Sequence, residues 1–107
     1  MSIDIQRSSR VNFARINSIA LSSAEAVIRG LLPDGRREGH EWVARNPHRP
    51  DRRLGSFKVN LSSGKWADFA TGDSGGDLVA LAAFVASLPQ REAAIRLAES
   101  MGVDPWE

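Results

Sequence analysis

The sequence predicts an α+β domain: an N-terminal helix or helix pair, a small antiparallel sheet, and two C-terminal helices packed on it. Three observations carry this. Apolar residues recur at three- and four-residue spacing over 13–31 and again over 94–101, the period of one helix face. Between them "SFKVNL" alternates, with Phe57, Val59 and Leu61 set against Ser56, Lys58 and Asn60. The short "SSG" then separates this run from "KWADF", and Gly64 can take the positive φ that a hairpin turn needs. With 107 residues, 42% hydrophobic and 25% charged, the chain has the size of one domain and the composition of a globular one.

Taken in order, residues 1–10 are polar and expected to be flexible, leaving 11–107 as a single module. "VNFARINSIALSSAEAVIRGLL" spaces Phe13, Ile16, Ile19 and Ala20, then Ala24, Val27, Ile28 and Leu31, as helix faces require. Ser22 or Ser23 can cap a second helix with Glu25 in its first turn, and Pro33 and Gly35 end it. Periodicity leaves open whether this stretch is one kinked helix or two. "GHEWVARNP" reads as a short strand, with Trp42 and Ala44 on one face and Val43 and Arg45 on the other, and "NPHRPDRRLG" as a loop. "KWADF" returns as the partner strand, with Trp66 and Phe69 as its large anchors. After the turn "ATGDSGG", Asp77 caps a helix whose "LVALAAFVA" is apolar almost all round, the mark of a central buried helix. Ser87 is expected to cap the last helix, with Pro89 in its first turn and Gly102 as its stop.

The absence of cysteine excludes structural disulfides and thiolate metal sites. No apolar leader run opens the chain, and the nearly apolar stretch 78–88 is too short to span a bilayer, so a cytoplasmic protein without a membrane partner is expected. The net charge of +1 hides a polarised distribution. Residues 36–65 hold eight Lys or Arg against three acids, whereas 66–107 hold two against seven. A basic middle third suits a polyanion. Candidate contacts are Arg45, Arg49, Arg52, Arg53, Lys58, Asn60, Lys65 and Trp66. Lys58 and Asn60 share the strand face opposite Phe57 and Val59, and Lys65 follows the turn. Trp42 or Trp66 can stack a base if exposed, and belongs to the core otherwise.

"TGDSGGD" lacks the GK[ST] ending of a phosphate loop, and its acids would repel a triphosphate, so it reads as a tight turn leading into the Asp77 cap. Neither histidine has a Ser or Asp companion at a recognisable spacing, so no catalytic residue and no cofactor is expected, and the chain is not expected to be an enzyme.

The order of pieces is itself informative: a hairpin, aromatic–small–x–Phe, a glycine turn ending in Asp, an apolar helix, then "REAAIRLAESMG". Over residues 39–103 this set resembles the N-terminal zinc-binding domain of bacterial and phage DNA primases and primase–helicases. It is most similar to the metal-less relatives of that domain at the front of replication proteins of phages, plasmids and integrated elements. On this resemblance Asn46-Pro47 stands where the family has Cys–Pro, and His48 or Arg49 at its His. Gly55-Ser56-Phe57 matches the family's Pro–Ser–Phe. Trp66 to Gly72 match its aromatic–His–Cys–Phe–Gly–Cys–Gly knuckle, so Asp68 and Thr71 replace the two cysteines. Gly75-Gly76-Asp77 matches its Gly–Gly–Asp after a one-residue insertion.

Asn46, His48, Asp68 and Thr71 are a poor donor set for zinc. Hydrogen bonds must replace it, with Asp68 and Thr71 serving turn amides and Asn46 bridging across. The resemblance implies a non-catalytic accessory module of DNA replication or priming on a mobile element, a zinc-ribbon-like fold without zinc. Its expected partner is single-stranded or primer–template DNA, with a helicase or primase as a possible protein partner. The alternative is a small protein-interaction module or phage-type inhibitor docking on a replication or defence complex.

Overall fold

The computed structural model describes residues 10–49 and 55–107. Arg52 and Arg53, and the first nine residues of the segment expected to be flexible, lie outside the described residues. Among those described, four helices flank a five-stranded antiparallel sheet, an α+β fold with helices before and after the sheet.

The N-terminal apolar stretch is two helices, α1 (Phe13–Ser22) and α2 (Ala24–Leu31), broken at Ser23. Asn12 caps α1 by accepting from the Arg15 N–H at 3.0 Å. Ser23 precedes α2 without a side-chain capping bond. Pairing of Val11 with Trp106 ties the entry of α1 to the C-terminal residues, and the Arg15 guanidinium donates to the carbonyls of Asp104 and Trp106.

The sheet is a meander in chain order: β1 (Arg36–Glu38), β2 (Glu41–Ala44), β3 (Phe57–Asn60), β4 (Trp66–Asp68) and β5 (Ser74–Gly75). Sequence pattern predicts the middle three. β1 escapes it because "RRE" is exposed and carries no apolar alternation; the turn at Gly39, with φ +63°, folds it back on β2. β5 lies inside what reads as a glycine turn.

Register determines the two faces. Trp42, Val59 and Trp66 are successive cross-strand partners, as are Ala44, Phe57 and Asp68, and this face meets the helices. The opposite face aligns Arg36, Val43, Lys58, Ala67 and Ser74, with Glu38, Glu41 and Asn60 in the next row.

α3 (Leu78–Ala86) is the central helix, burying Leu78, Val79, Leu81, Ala82 and Ala83. Its first turn is held twice: Asp77 Oδ1 accepts from the Ala80 N–H, and Asn17 Oδ1, reaching from α1, accepts from the Val79 N–H. Ser87 does not cap the last helix. It takes the left-handed conformation at φ 55° and closes α3 instead, and Pro89 occupies the position before α4 (Gln90–Met101), which Gly102 ends.

Phe57, Trp66 and Phe84 stack into one aromatic cluster, with centroids 5.0–5.9 Å apart, joining β3, β4 and α3. Trp66 is therefore a core residue, 6% exposed, and not part of the open sheet surface expected of it. Trp42 is buried too, its indole N–H donating to the Leu32 carbonyl at 3.0 Å. Phe69 departs in the opposite sense: expected as an anchor, it is 76% exposed. The reason is the pleat. Residues three apart on a strand lie on opposite faces, so a register that buries Trp66 turns Phe69 outward.

The Trp66 ring lies so close on β5 that a Cβ at Gly75 would sit 2.5 Å from it, while one at Gly76 meets no atom within 4 Å. Gly75→Ala is expected to cost about 1–3 kcal/mol by overpacking. Gly76→Ala should stay within about 0.5 kcal/mol of the native chain. Urea unfolding followed by tryptophan fluorescence measures both.

Candidate functional site

Two features of the sheet invite a functional reading: a buried polar cluster at one end and the open face. The cluster is centred on Asn46, 2% exposed, and Asp68, 1% exposed, the two buried polar side chains of the described residues. Asn46 Nδ2 donates to Asp68 Oδ2 at 2.8 Å across 22 residues of chain. Its Oδ1 accepts from the His48 N–H, and its carbonyl accepts from the Arg49 N–H, so one residue shapes the whole turn. Asp68 Oδ1 accepts from the Ala70 N–H at 2.8 Å. Thr71 Oγ1 donates to Asp73 Oδ2 and accepts from the Asp73 N–H. His48 completes the group, its ring edge-on to Phe84 at 4.8 Å with Nε2 against the Phe84 carbonyl oxygen.

Of the four positions that the resemblance assigns to lost zinc ligands, Asn46 and Asp68 pair through their side chains, whereas His48 and Thr71 reach them only through backbone N–H groups, the His48 ring turning to Phe84 and the Thr71 hydroxyl to Asp73. Among the described residues no group of three or more His, Asp or Glu side chains is placed to hold a metal ion.

Burial alone would push the Asp68 carboxyl up. Hydrogen bonds from the Asn46 amide, the Ala70 N–H, the Ser56 side chain and the Thr71 N–H outweigh it, so its pKa lies below the usual 3.8. The ionised form is what the cluster is built around.

The face turned away from the helices buries Val43, 2% exposed, and elsewhere mixes charges. Arg36 Nε donates to Glu38 Oε2 at 2.8 Å, and Lys58 Nζ stands 3.9 Å from Glu41 Oε1, both pairs in contact with solvent. Such pairs are weak, roughly 0–1 kcal/mol, and leave their cations able to exchange partners. Lys65 is exposed beside them. Arg36, Lys58 and Lys65 face Glu38 and Glu41, a modest positive excess.

Asn60 Oδ1 accepts from the N–H groups of Ser62 and Ser63 and so helps to turn the hairpin. Arg45 and Arg49 are both exposed, each with a partner of its own, and border a cleft of about 250 Å³ against residues 31–35. Of the eight candidate contacts, the structure brings Lys58 and Lys65 onto one face, puts Arg45 and Arg49 on the loop beside the polar cluster, and buries Trp66.

Sequence reasoning misses Phe69 as a surface residue, although strict two-residue alternation from Trp66 finds it. No family model matches the chain, and no match was found among curated proteins.

Asp68→Ala strands the Asn46 amide and the Ala70 N–H and is expected to cost about 3 kcal/mol at pH 7. Because the folded-state pKa is lowered, the ionised carboxylate stabilises the fold fully above the unfolded value of 3.8. That contribution fades as pH falls through the folded-state value. The stability gap between the native chain and Asp68→Ala should therefore shrink below pH 3.8 and hold constant above it, measured by denaturant titration at a series of pH values.

Proposed function

We propose that this chain is a nucleic-acid-binding accessory module, non-catalytic by itself, of the kind found at the front of mobile-element primases and primase–helicases and acting in the cytoplasm. The observation that carries the reading is the concentration of positive charge in the sheet and its loop. Residues 36–65 carry eight Lys or Arg against three acids, and the β1–β3 face within that stretch is the one turned away from the helices. Flexible cations over a polar sheet suit phosphates spaced along a strand, because binding releases condensed counterions and needs no shaped pocket. The Asn46–Asp68 bond joins two of the positions that the resemblance matches to zinc ligands, and that resemblance supplies the replication context. No single helix among the described residues is long and apolar enough to cross a membrane.

Binding to a labelled single-stranded oligonucleotide is expected to weaken steeply with salt. Lys58→Ala/Lys65→Ala should lower affinity at every sequence and reduce the salt slope by about 0.7 for each phosphate no longer neutralised. Arg52→Ala/Arg53→Ala should act in the same direction. Fluorescence anisotropy at low and moderate salt measures this, and no binding by the native chain at low salt refutes the reading.

One observation favours a protein partner instead. A groove of about 580 Å³ runs between α1, α2 and α4, lined largely by Ile19, Ala26, Val27, Leu31, Leu97 and Met101. Gly30 borders it, and a Cβ there meets no atom within 4 Å. If a replication protein docks in the groove, Gly30→Leu should abolish its co-purification and leave oligonucleotide binding unchanged.

A further inference from the structure

We infer that Phe69 is a base-stacking platform, so that the nucleic acid recognised is a single strand with an unstacked base; this rests on the nucleic-acid reading above. The ladder between β3 and β4 runs one residue beyond the strands, since the Phe69 N–H donates to the Ser56 carbonyl at 3.0 Å. Alternation from Asp68, which faces the core, then places Phe69 on the open face with Ala67 and Lys58. The side chain is 76% exposed, the most exposed large apolar group of the described residues.

Its backbone is also held. Asp68 Oδ1 on the Ala70 N–H, the Gly72 N–H on the Asp68 carbonyl and the Asp68 N–H on the Asp73 carbonyl lock the residues on either side of it. Asn46 anchors that carboxylate from the opposite loop. The backbone beneath the ring is already ordered when a base covers it, and every base offers a π-face.

A duplex keeps its bases stacked inside and gains nothing from the ring.

The test compares the native chain, Phe69→Ala and Phe69→Trp on three probes of equal length: a natural oligonucleotide, one with abasic residues, and a duplex. Phe69→Ala is expected to bind the natural single strand about tenfold more weakly. It should change abasic and duplex binding by less than about twofold, and Phe69→Trp should restore the native affinity. Phe69→Ala binding the natural strand as tightly as the native chain overturns the stacking role, as does an equal loss on all three probes. In both cases the basic face still stands as the binding surface. If the native chain binds none of the probes, the stacking role and the nucleic-acid reading fall together. Retained oligonucleotide affinity in Phe69→Ala with loss of a defined protein partner overturns the role in favour of protein docking. Exposure of the ring makes both variants foldable, and circular dichroism melts should match the native chain.

Discussion

The stacking of Phe57, Trp66 and Phe84 is the interaction on which the rest of the structure depends. It joins the two strands of the central hairpin to the helix that fills the core. With Trp66 inward, register along the whole sheet follows, because a one-residue slip in any strand would move its apolar set to water. Gly75 must then lack a side chain, Asp68 must be buried, and Phe69 must face out. One packing arrangement therefore explains a glycine, a buried carboxylate and an exposed aromatic.

The buried carboxylate in turn makes the tip of the sheet orderly. An aspartate at 1% exposure is costly unless its oxygens are satisfied, and here Asn46 and the turn amides satisfy them. The same bonds connect two chain segments 22 residues apart, a cross-link of the sort that small domains often obtain from a metal. Hydrogen bonds achieve it at lower strength and without dependence on a cation. They also order the backbone of the turn that carries the exposed Phe69 ring.

Much of this is legible in the sequence. The helices at 13–31, the hairpin about Ser62 to Gly64, the Asp77 cap and the buried character of α3 all follow from local patterns, since each depends on residues within a few positions of one another. A bridging Asn46 and turn-amide bonds to Asp68 are expected on the resemblance, whereas the bond between the two side chains is seen only in the structure. Other features are not legible. β1 is exposed and charged, and only its neighbour β2 makes it a strand. Ser87 has the chemistry to start one helix, whereas backbone closure makes it the end of another. Phe69 suggests an anchor by its hydrophobicity, when its position relative to Trp66 is the better guide.

By itself the sequence determined the composition of the module: its apolar periodicities, the absence of thiolates, and the concentration of positive charge between residues 36 and 65. These are properties of residue type and spacing, and they survive any particular folding. Which aromatic is core and which is surface, which asparagine bridges and which turns a hairpin, and which lysines share a face were decided only by tertiary structure. The physical reason is that hydrophobicity states a preference for burial, whereas register and the room available against α3 decide which residues obtain it. Trp66 and Phe69 have similar claims on the core, and the pleat of one short strand admits only the first.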